Sequence, residues 1–312
     1  MKNIYEVESS NKIKSAIIIV LFSLFVLLAV YIFSNAFGYY LGYEVGGIGY
    51  VGIALIVSGI SSFVGYWWSD KMVLAISGAR PADRKRDFLF YTVAENLSIA
   101  IGIATPKLYV IEDSAPNAFA TGRGPEHSVI CVTTGLLSKL NRTELEGVVA
   151  HEMTHIKNYD VRLMSVVSVM VGIIALLADW FLRASFWGGG KRDNDESKSI
   201  GAIFVILGLV FAILSPLIAQ LIKLAVSRQR EYMADSGAVS ITRQPNGLIG
   251  ALKKISGDME PLEAANKATA HLYIVNPFKD NSGGKRAVDF FSGLFNTHPP
   301  IAKRIAELEK MA

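Results

Sequence analysis

The sequence predicts a mainly α-helical membrane protein with four transmembrane helices and a soluble α+β part that contains a small β-sheet. Hydrophobic residues make up 51% of the 312-residue chain, and the mean hydropathy is +0.36. These residues are concentrated in four long runs, which is typical of a polytopic membrane protein rather than of a soluble one. The polar stretches between and after the runs show helical and strand-like patterns, which predict the soluble part.

Residues 1–68 form the first predicted region, a short polar tail followed by transmembrane helices at 16–33 and 46–68. Neither run contains a charged residue. The first run is long and is not followed by a cleavage site, so it predicts an uncleaved membrane anchor. The second run ends in Tyr66, Trp67 and Trp68, residue types that are enriched at membrane–water interfaces.

Residues 69–160 form the second predicted region, which is soluble in character. An apolar stripe predicts a helix over 87–103, and short apolar runs predict strands at 108–111 and 128–133. The small-residue segment 116–122 between the strands is expected to be extended. The chain's single cysteine lies in the second strand as a small core residue, which excludes an intrachain disulfide and a cysteine-based metal site.

The second region ends in the motif H-E-x-x-H, formed by His151, Glu152 and His155. Residues four apart share one face of a helix, so both imidazoles can bind one metal ion while Glu152 lies beside them. Two neutral imidazoles leave a zinc ion unsaturated, and an adjacent carboxylate can deprotonate a bound water. The alternative is a surface helix that carries two histidines by chance. Two pairs of residues could cap this helix, Asn141 with Glu144 or Thr143 with Glu146.

Residues 161–226 form the third predicted region, with transmembrane helices at 163–182 and 200–222 and an extracytoplasmic loop between them. Asp179 lies near the end of the first of these helices, and Arg183 follows four residues later. An acid inside a membrane helix is a functional candidate by default. Its position near the interface and the adjacent arginine favour an anchoring ion pair instead.

The distribution of Lys and Arg predicts the orientation in the membrane. The loop 34–45 contains neither residue and the loop 184–199 contains three, whereas most of the Lys and Arg near the spans lie on the opposite side. The positive-inside rule therefore places both termini and the H-E-x-x-H motif in the cytoplasm, in a multi-pass protein of the plasma membrane. The net charge of +4 is explained by these flanks, and no nucleic-acid partner is expected.

Residues 227–312 form the fourth predicted region, which contains the candidate third metal ligand. Catalytic zinc usually has three protein ligands, and a histidine six residues after the second one is excluded because that position is Val161. Glu231 and Asp235 share a helix face, so Glu231 can bind zinc while Asp235 orients a ligand histidine. At 1.5 Å per residue, His155 and Glu231 lie roughly 12–14 Å from their spans. A solvated acidic face is the alternative.

Four separated motifs give the sequence a family resemblance. They are H-E-M-T-H, E-Y-M-A-D, P-N-A-F-A-T-G and T-H-P-P with a following R-I. In this order they resemble the HtpX-type membrane zinc endopeptidases, relatives of the CAAX prenyl-protein proteases. The resemblance implies a cytoplasmic α+β gluzincin-type metalloprotease domain that holds one Zn²⁺ per chain. It implies His151, His155 and Glu231 as the ligands and Glu152 as the general base.

The resemblance also implies roles for residues that spacing alone leaves open. An edge strand beside the cleft would bind an extended substrate through backbone hydrogen bonds, and its residues are Asn117, Ala118, Phe119 and Ala120. A buried hairpin strand is the alternative. The resemblance gives His298 a catalytic role in stabilising the oxyanion, and Arg304 a role in holding the cleft or a substrate carbonyl. Without the resemblance, His298 is better interpreted as a residue at a helix start, because two prolines follow it.

The predicted function is that of a membrane-integrated zinc endopeptidase in membrane protein quality control. Its partners would be the lipid bilayer and polypeptide substrates, chiefly misfolded or damaged membrane proteins cleaved at the cytoplasmic side. Two alternatives stay open. A protease that processes prenylated CAAX-type C-termini would share every motif, and a membrane scaffold would use the zinc site only for structure.

Overall fold

The computed structural model describes residues 48–169, 228–265, 269–277 and 299–312, together with parts of 13–31. The predicted transmembrane helix at 200–222 lies outside the described residues, as do most of the one at 163–182 and the candidate catalytic residue His298. Among the helices in these described ranges, none is both long and apolar enough to cross a membrane.

The described chain is mainly helical and has one small mixed sheet. The helices with described bounds are α1 (Ile48–Trp67), α2 (Ser69–Ile76), α3 (Phe88–Ile101), α4 (Thr134–Lys139), α5 (Arg142–Lys157), α6 (Arg228–Thr242), α7 (Pro245–Gly257) and α8 (Ile301–Glu309). The strands are β1 (Arg80–Pro81), β2 (Lys107–Ile111), β3 (Ala118–Gly124) and β4 (His127–Thr133). The predicted helix at 87–103 and the two predicted strands therefore correspond to α3, β2 and β4.

The sheet has the strand order β1-β2-β4-β3, so β3 is an edge strand. β4 pairs in parallel with β2 and antiparallel with β3, which places Cys131 between Tyr109 and Phe119. Cys131 is fully buried, as expected of a small core residue, and burial raises the pKa of its thiol. The two apolar faces of the sheet are covered on one side by α3 and α5 and on the other by α2, Leu272 and Tyr273.

The central helix α5 is held by a capping box at its start and by packing on nearly every face. The Asn141 side chain accepts a hydrogen bond from the backbone N–H of Glu144 at 2.9 Å, and the Glu144 carboxylate accepts one from the N–H of Asn141 at 2.8 Å. This is the first of the two predicted caps, and it satisfies two donors that the helix start would otherwise leave unpaired. Helices α3, α6 and α7 all pack against α5.

Helix α5 ends at a turn that the sequence did not predict. Tyr159 has a φ of 60°, and the chain becomes helical again from residue 160. The distance given above from His155 to its span assumed a continuous helix between them, and that assumption was wrong. His155 and Glu231 still meet, because α6 packs directly against α5.

Two histidines outside the motif differ in their surroundings. His127 is exposed, but His271 is fully buried and its Nε2 lies 3.1 Å from the hydroxyl of Ser168. His271 therefore joins the segment 270–277 to the helical stretch that follows α5.

Candidate metal centre and active site

Three buried side chains converge where α5 meets α6. His151 and His155 lie one turn apart on α5, and Glu231 lies in the first turn of α6. The Nε2 atom of His151 is 3.7 Å from Glu231 Oε2, and the Nε2 atom of His155 is 3.5 Å from Glu231 Oε1. One donor atom from each residue lies within 4.8 Å of the other two.

The three side chains fit a tetrahedral metal ion. Nitrogen and oxygen ligands lie about 2.1 Å from zinc, so two ligands of a tetrahedral ion are about 3.4 Å apart. Each imidazole lies close to that distance from one oxygen of the carboxylate, His151 from Oε2 and His155 from Oε1. Two imidazoles and one carboxylate are also the donor types that catalytic zinc takes, and such a set leaves a fourth position open.

Each histidine uses its second ring nitrogen to bind a carboxylate. The Nδ1 atom of His151 is 3.0 Å from Asp235 Oδ1, and the Nδ1 atom of His155 is 2.9 Å from Asp160 Oδ2. These contacts turn both Nε2 atoms towards Glu231, the arrangement that fixes the orientation of metal-binding histidines. Asp235 therefore lies against His151, and its role in orienting that histidine stays a prediction. Asp160 was not predicted from the sequence. Its only local indication is its position, just beyond the end of α5.

The charges around the site shift the protonation of these groups. Burial lowers the pKa of His151. Burial would also lower the pKa of His155, but the Asp160 and Glu231 carboxylates raise it well above its usual value. Likewise burial would raise the pKa of Asp235, but the guanidinium of Arg304 and the contact with His151 bring it below its usual value.

Arg304 reaches the site from α8 and is fully buried. Its Nε and Nη2 atoms donate hydrogen bonds to the two oxygens of Asp235, at 2.9 and 2.6 Å. Its Nη1 atom donates to the carbonyl oxygen of Ile274 at 3.1 Å and lies 3.5 Å from Glu231 Oε2. These contacts orient Asp235 and Glu231, whereas contact with a substrate carbonyl stays a prediction.

Glu152 lies between the metal-binding cluster and the sheet. Its carboxyl group is buried, and burial raises its pKa to about 7. The backbone N–H of Ala120 in β3 is close enough to this carboxyl group to lower its pKa, which offsets a small part of the effect of burial. The candidate general base therefore faces the strand that was predicted to bind the substrate.

The predicted substrate strand is an edge strand, but another segment of the chain contacts its outer edge. The N–H of Ile274 donates to the carbonyl oxygen of Ala118 at 2.9 Å, and the side-chain amide of Asn117 donates to the carbonyl oxygen of Val275 at 2.9 Å. The Tyr273 ring meets the Phe119 ring edge-on, with centroids 5.1 Å apart. A peptide that paired with Ala118 would replace the hydrogen bond from Ile274. Substrate binding at Asn117 to Ala120 stays a prediction.

Two histidines lie one turn apart on a buried helix, a carboxylate is the third candidate ligand, and a glutamate lies beside them. This arrangement is the site of a metal-dependent peptidase. Residues 89–312 match peptidase family M48, and the chain belongs to that family.

The relatives of this chain extend over nearly its whole length. It is 43% identical to the Protease HtpX homolog of Caldanaerobacter subterraneus subsp. tengcongensis, over 99% of this chain and 98% of that protein. It is 46% identical to the Protease HtpX homolog of Dictyoglomus thermophilum, over 98% and 94%. Among solved structures, S. mikatae Ste24p matches with a TM-score of 0.44 and 18% identity, over 98% of this chain and 67% of that one.

The family and the relatives confirm the resemblance to HtpX-type proteases and the predicted activity, that of a membrane zinc endopeptidase. They do not favour the CAAX-processing protease or the scaffold. Polypeptides are the substrates of this family, and a metal ion takes part in its reaction.

Proposed function

We propose that the chain holds one zinc ion through His151, His155 and Glu231 and cleaves membrane proteins on the cytoplasmic side of the plasma membrane. The observation that carries this proposal is the convergence of three buried donor side chains from two helices, at spacings that suit a tetrahedral ion. Zinc, when bound, polarises the scissile carbonyl group and lowers the pKa of a water molecule. The gluzincin pattern H-E-x-x-H with a distant E-x-x-x-D describes this site.

Glu152 moves the proton in this proposal. Its carboxylate takes a proton from the attacking water and then donates it to the nitrogen of the leaving amine. Its position beside the cluster and against Ala120 supports the assignment, because the water and the scissile bond must lie between the ligands and the substrate strand. Asp235 and Asp160 each accept a hydrogen bond from the Nδ1–H of a ligand histidine, which keeps the Nε2 atom unprotonated.

The proposed membrane placement keeps the four predicted regions: 1–68 and 161–226 in the bilayer, with 69–160 and 227–312 in the cytoplasm. Four long apolar runs and the Lys and Arg distribution support it. The surface of α1 and of the residue after it also supports it, because seven large apolar side chains between Leu55 and Trp68 are more than a third exposed. A cleft on the cytoplasmic side, close to the bilayer, suits membrane-protein segments as substrates.

Replacing Glu152 with glutamine tests the proposed reaction. We expect the rate of proteolysis by the purified, detergent-solubilised protein to fall by about a hundredfold to ten-thousandfold, the usual contribution of a general base. Zinc content by elemental analysis should stay at one ion per chain, because Glu152 is not a ligand. Undiminished cleavage of an unfolded protein such as casein would refute the role of Glu152.

Replacing Glu231 with alanine tests the ligand set. We expect the zinc content to fall to a small fraction of the wild-type value, and proteolysis to be lost with it. A full complement of zinc would exclude Glu231 as a ligand. Comparing a prenylated peptide with an unmodified unfolded protein as substrates separates general proteolysis from CAAX-type processing.

A further inference from the structure

A cavity of about 460 Å³ lies at the carboxyl end of α1, away from the metal-binding cluster. The end of α1, the start of α2 and the strands β2 to β4 form its walls. Its lining contains three aromatic residues, Phe63, Trp67 and Trp68, and three cations, Lys71, Lys107 and Arg123. Two acids also line it, Asp70 and Glu126, so the lining carries one more positive charge than negative with histidine neutral.

The described cations divide into those that form ion pairs with acids and those that do not. Arg80, Arg84 and Arg304 each form ion pairs with acids. Within the described ranges Lys71, Lys107 and Arg123 form no ion pair, even with the two acids of the same lining. Three unpaired cations around one cavity favour an anionic occupant.

Arg123 is the most specific feature of the cavity. Its guanidinium carbon lies 4.4 Å from the centre of the Trp67 ring, an arrangement that holds the group in place. Its Nε atom is buried and has no hydrogen-bond partner among the described residues. A buried donor without a partner is destabilising, and an acceptor oxygen of a ligand would remove that cost. A fixed guanidinium is well suited to bind phosphate oxygens.

The surface beside the cavity indicates where such a phosphate comes from. The exposed apolar side chains of α1 lead directly to Phe63, Trp67 and Trp68 at the cavity. Exposed apolar patches that end in tryptophans and cations are typical of surfaces that meet lipid acyl chains and headgroups. We propose that the cavity binds the phosphate of an anionic phospholipid, whose acyl chains lie along α1. This proposal rests on the membrane placement given above.

Lipid binding by the full-length protein tests this proposal. The protein would carry Glu152→Gln, so that self-cleavage does not affect the measurement. Phosphatidylglycerol and phosphatidylcholine would be titrated separately into detergent-solubilised protein, with bound lipid measured by native mass spectrometry. We expect phosphatidylglycerol to bind more tightly, and Arg123→Gln to weaken its binding by about tenfold, as the loss of one charge-assisted hydrogen bond predicts.

Arg84→Gln is the matched control. Arg84 also lies over an aromatic ring, that of Tyr91 at 5.6 Å, but it does not line the cavity. We expect this variant to bind phosphatidylglycerol like the parent protein. Thermal unfolding would show whether Arg123→Gln is folded. If it is not, the double variant Lys71→Gln/Lys107→Gln, at two exposed positions, gives the same test.

The outcomes distinguish a phospholipid headgroup from free phosphate as the anion that binds in the cavity. Equal phosphatidylglycerol affinity in the parent, Arg123→Gln and the double variant would overturn the proposal. Arg123-dependent binding of inorganic phosphate, together with equal affinities for phosphatidylglycerol and phosphatidylcholine, would keep the anion site but overturn the lipid as its source. Because binding is measured without proteolysis, this result is independent of the tests of Glu152 and Glu231.

Discussion

Asp235 connects the candidate metal centre to the C-terminal helix. One of its oxygens contacts both His151 Nδ1 and Arg304 Nη2, and the other accepts a hydrogen bond from Arg304 Nε. The orientation of His151 therefore depends on a guanidinium that is 69 residues away in sequence from the carboxylate it binds.

Replacing Asp235 with alanine should weaken metal binding without removing a ligand. We expect zinc affinity to fall by about 10-fold to 100-fold, the usual effect of losing a carboxylate that orients a ligand histidine. Competition with a chromophoric chelator measures it. Glu307→Ala, which removes an exposed carboxylate of α8, should leave the affinity unchanged. If Asp235→Ala bound zinc as tightly as the parent, the contact with His151 would have no part in positioning the ligand.

Residue-scale features were predictable from sequence where the spacing was local. His151 and His155 share a face because they are four apart on one helix, and the same spacing joins Glu231 to Asp235. Asp160 follows a turn at which Tyr159 adopts a positive φ, and no helical spacing predicts that geometry. The pairing of Arg304 with Asp235 needs the packing of α8 against α6, which the local sequence does not encode.

At the scale of elements, the position of α5 depends on a close approach to α7. A Cβ atom added to Gly147 would lie 2.6 Å from the backbone nitrogen of Leu248 and 2.9 Å from its Cα. Backbone atoms cannot rotate away as a side chain can. The two helices are therefore held at a distance that only glycine permits at position 147.

Gly147→Ala should consequently destabilise the protein and displace the motif helix. We expect a loss of about 1–3 kcal/mol in the free energy of unfolding, as for other overpacked cores, together with reduced proteolysis. Gly257→Ala is a matched control, since a Cβ at the end of α7 meets nothing within 4 Å. Denaturant unfolding followed by circular dichroism compares the two. Equal stability of both variants would show that α5 and α7 can separate at no cost.

Strands β2 and β4 were predictable because each is a short apolar run between turn residues, whereas the two-residue strand β1 was not predicted. That β3 is an edge strand was expected only from the family resemblance. The segment 270–277 along its outer side was not predicted, because its contacts join residues more than 150 positions apart. Local patterns identify an element, whereas its neighbours depend on the whole chain.

At the scale of the whole molecule, the metal-binding cluster joins parts of the chain from opposite sides of residues 170–227. His151 and His155 precede that interval, and Glu231 follows it. An ion shared by the two parts therefore binds the folded protein and not the separated helices, so binding adds to the stability of the fold.

Removal of zinc should lower the unfolding temperature. At a free zinc concentration one hundred times its dissociation constant, binding stabilises the folded state by about 2.7 kcal/mol. We expect a chelator to lower the temperature measured by scanning fluorimetry and added zinc to restore it, while Glu231→Ala should respond little to either. A chelator that left the wild-type temperature unchanged would show that the ion is not shared between α5 and α6.

Both backbone polar groups of Ile274 form hydrogen bonds. Its N–H donates a hydrogen bond to the carbonyl oxygen of Ala118, at the outer edge of the candidate substrate strand. Its carbonyl oxygen accepts a hydrogen bond from Arg304. A polypeptide that paired with Ala118 would displace the N–H of Ile274. Any movement of Ile274 that followed would also change its contact with Arg304, whose guanidinium holds the Asp235 carboxylate against His151.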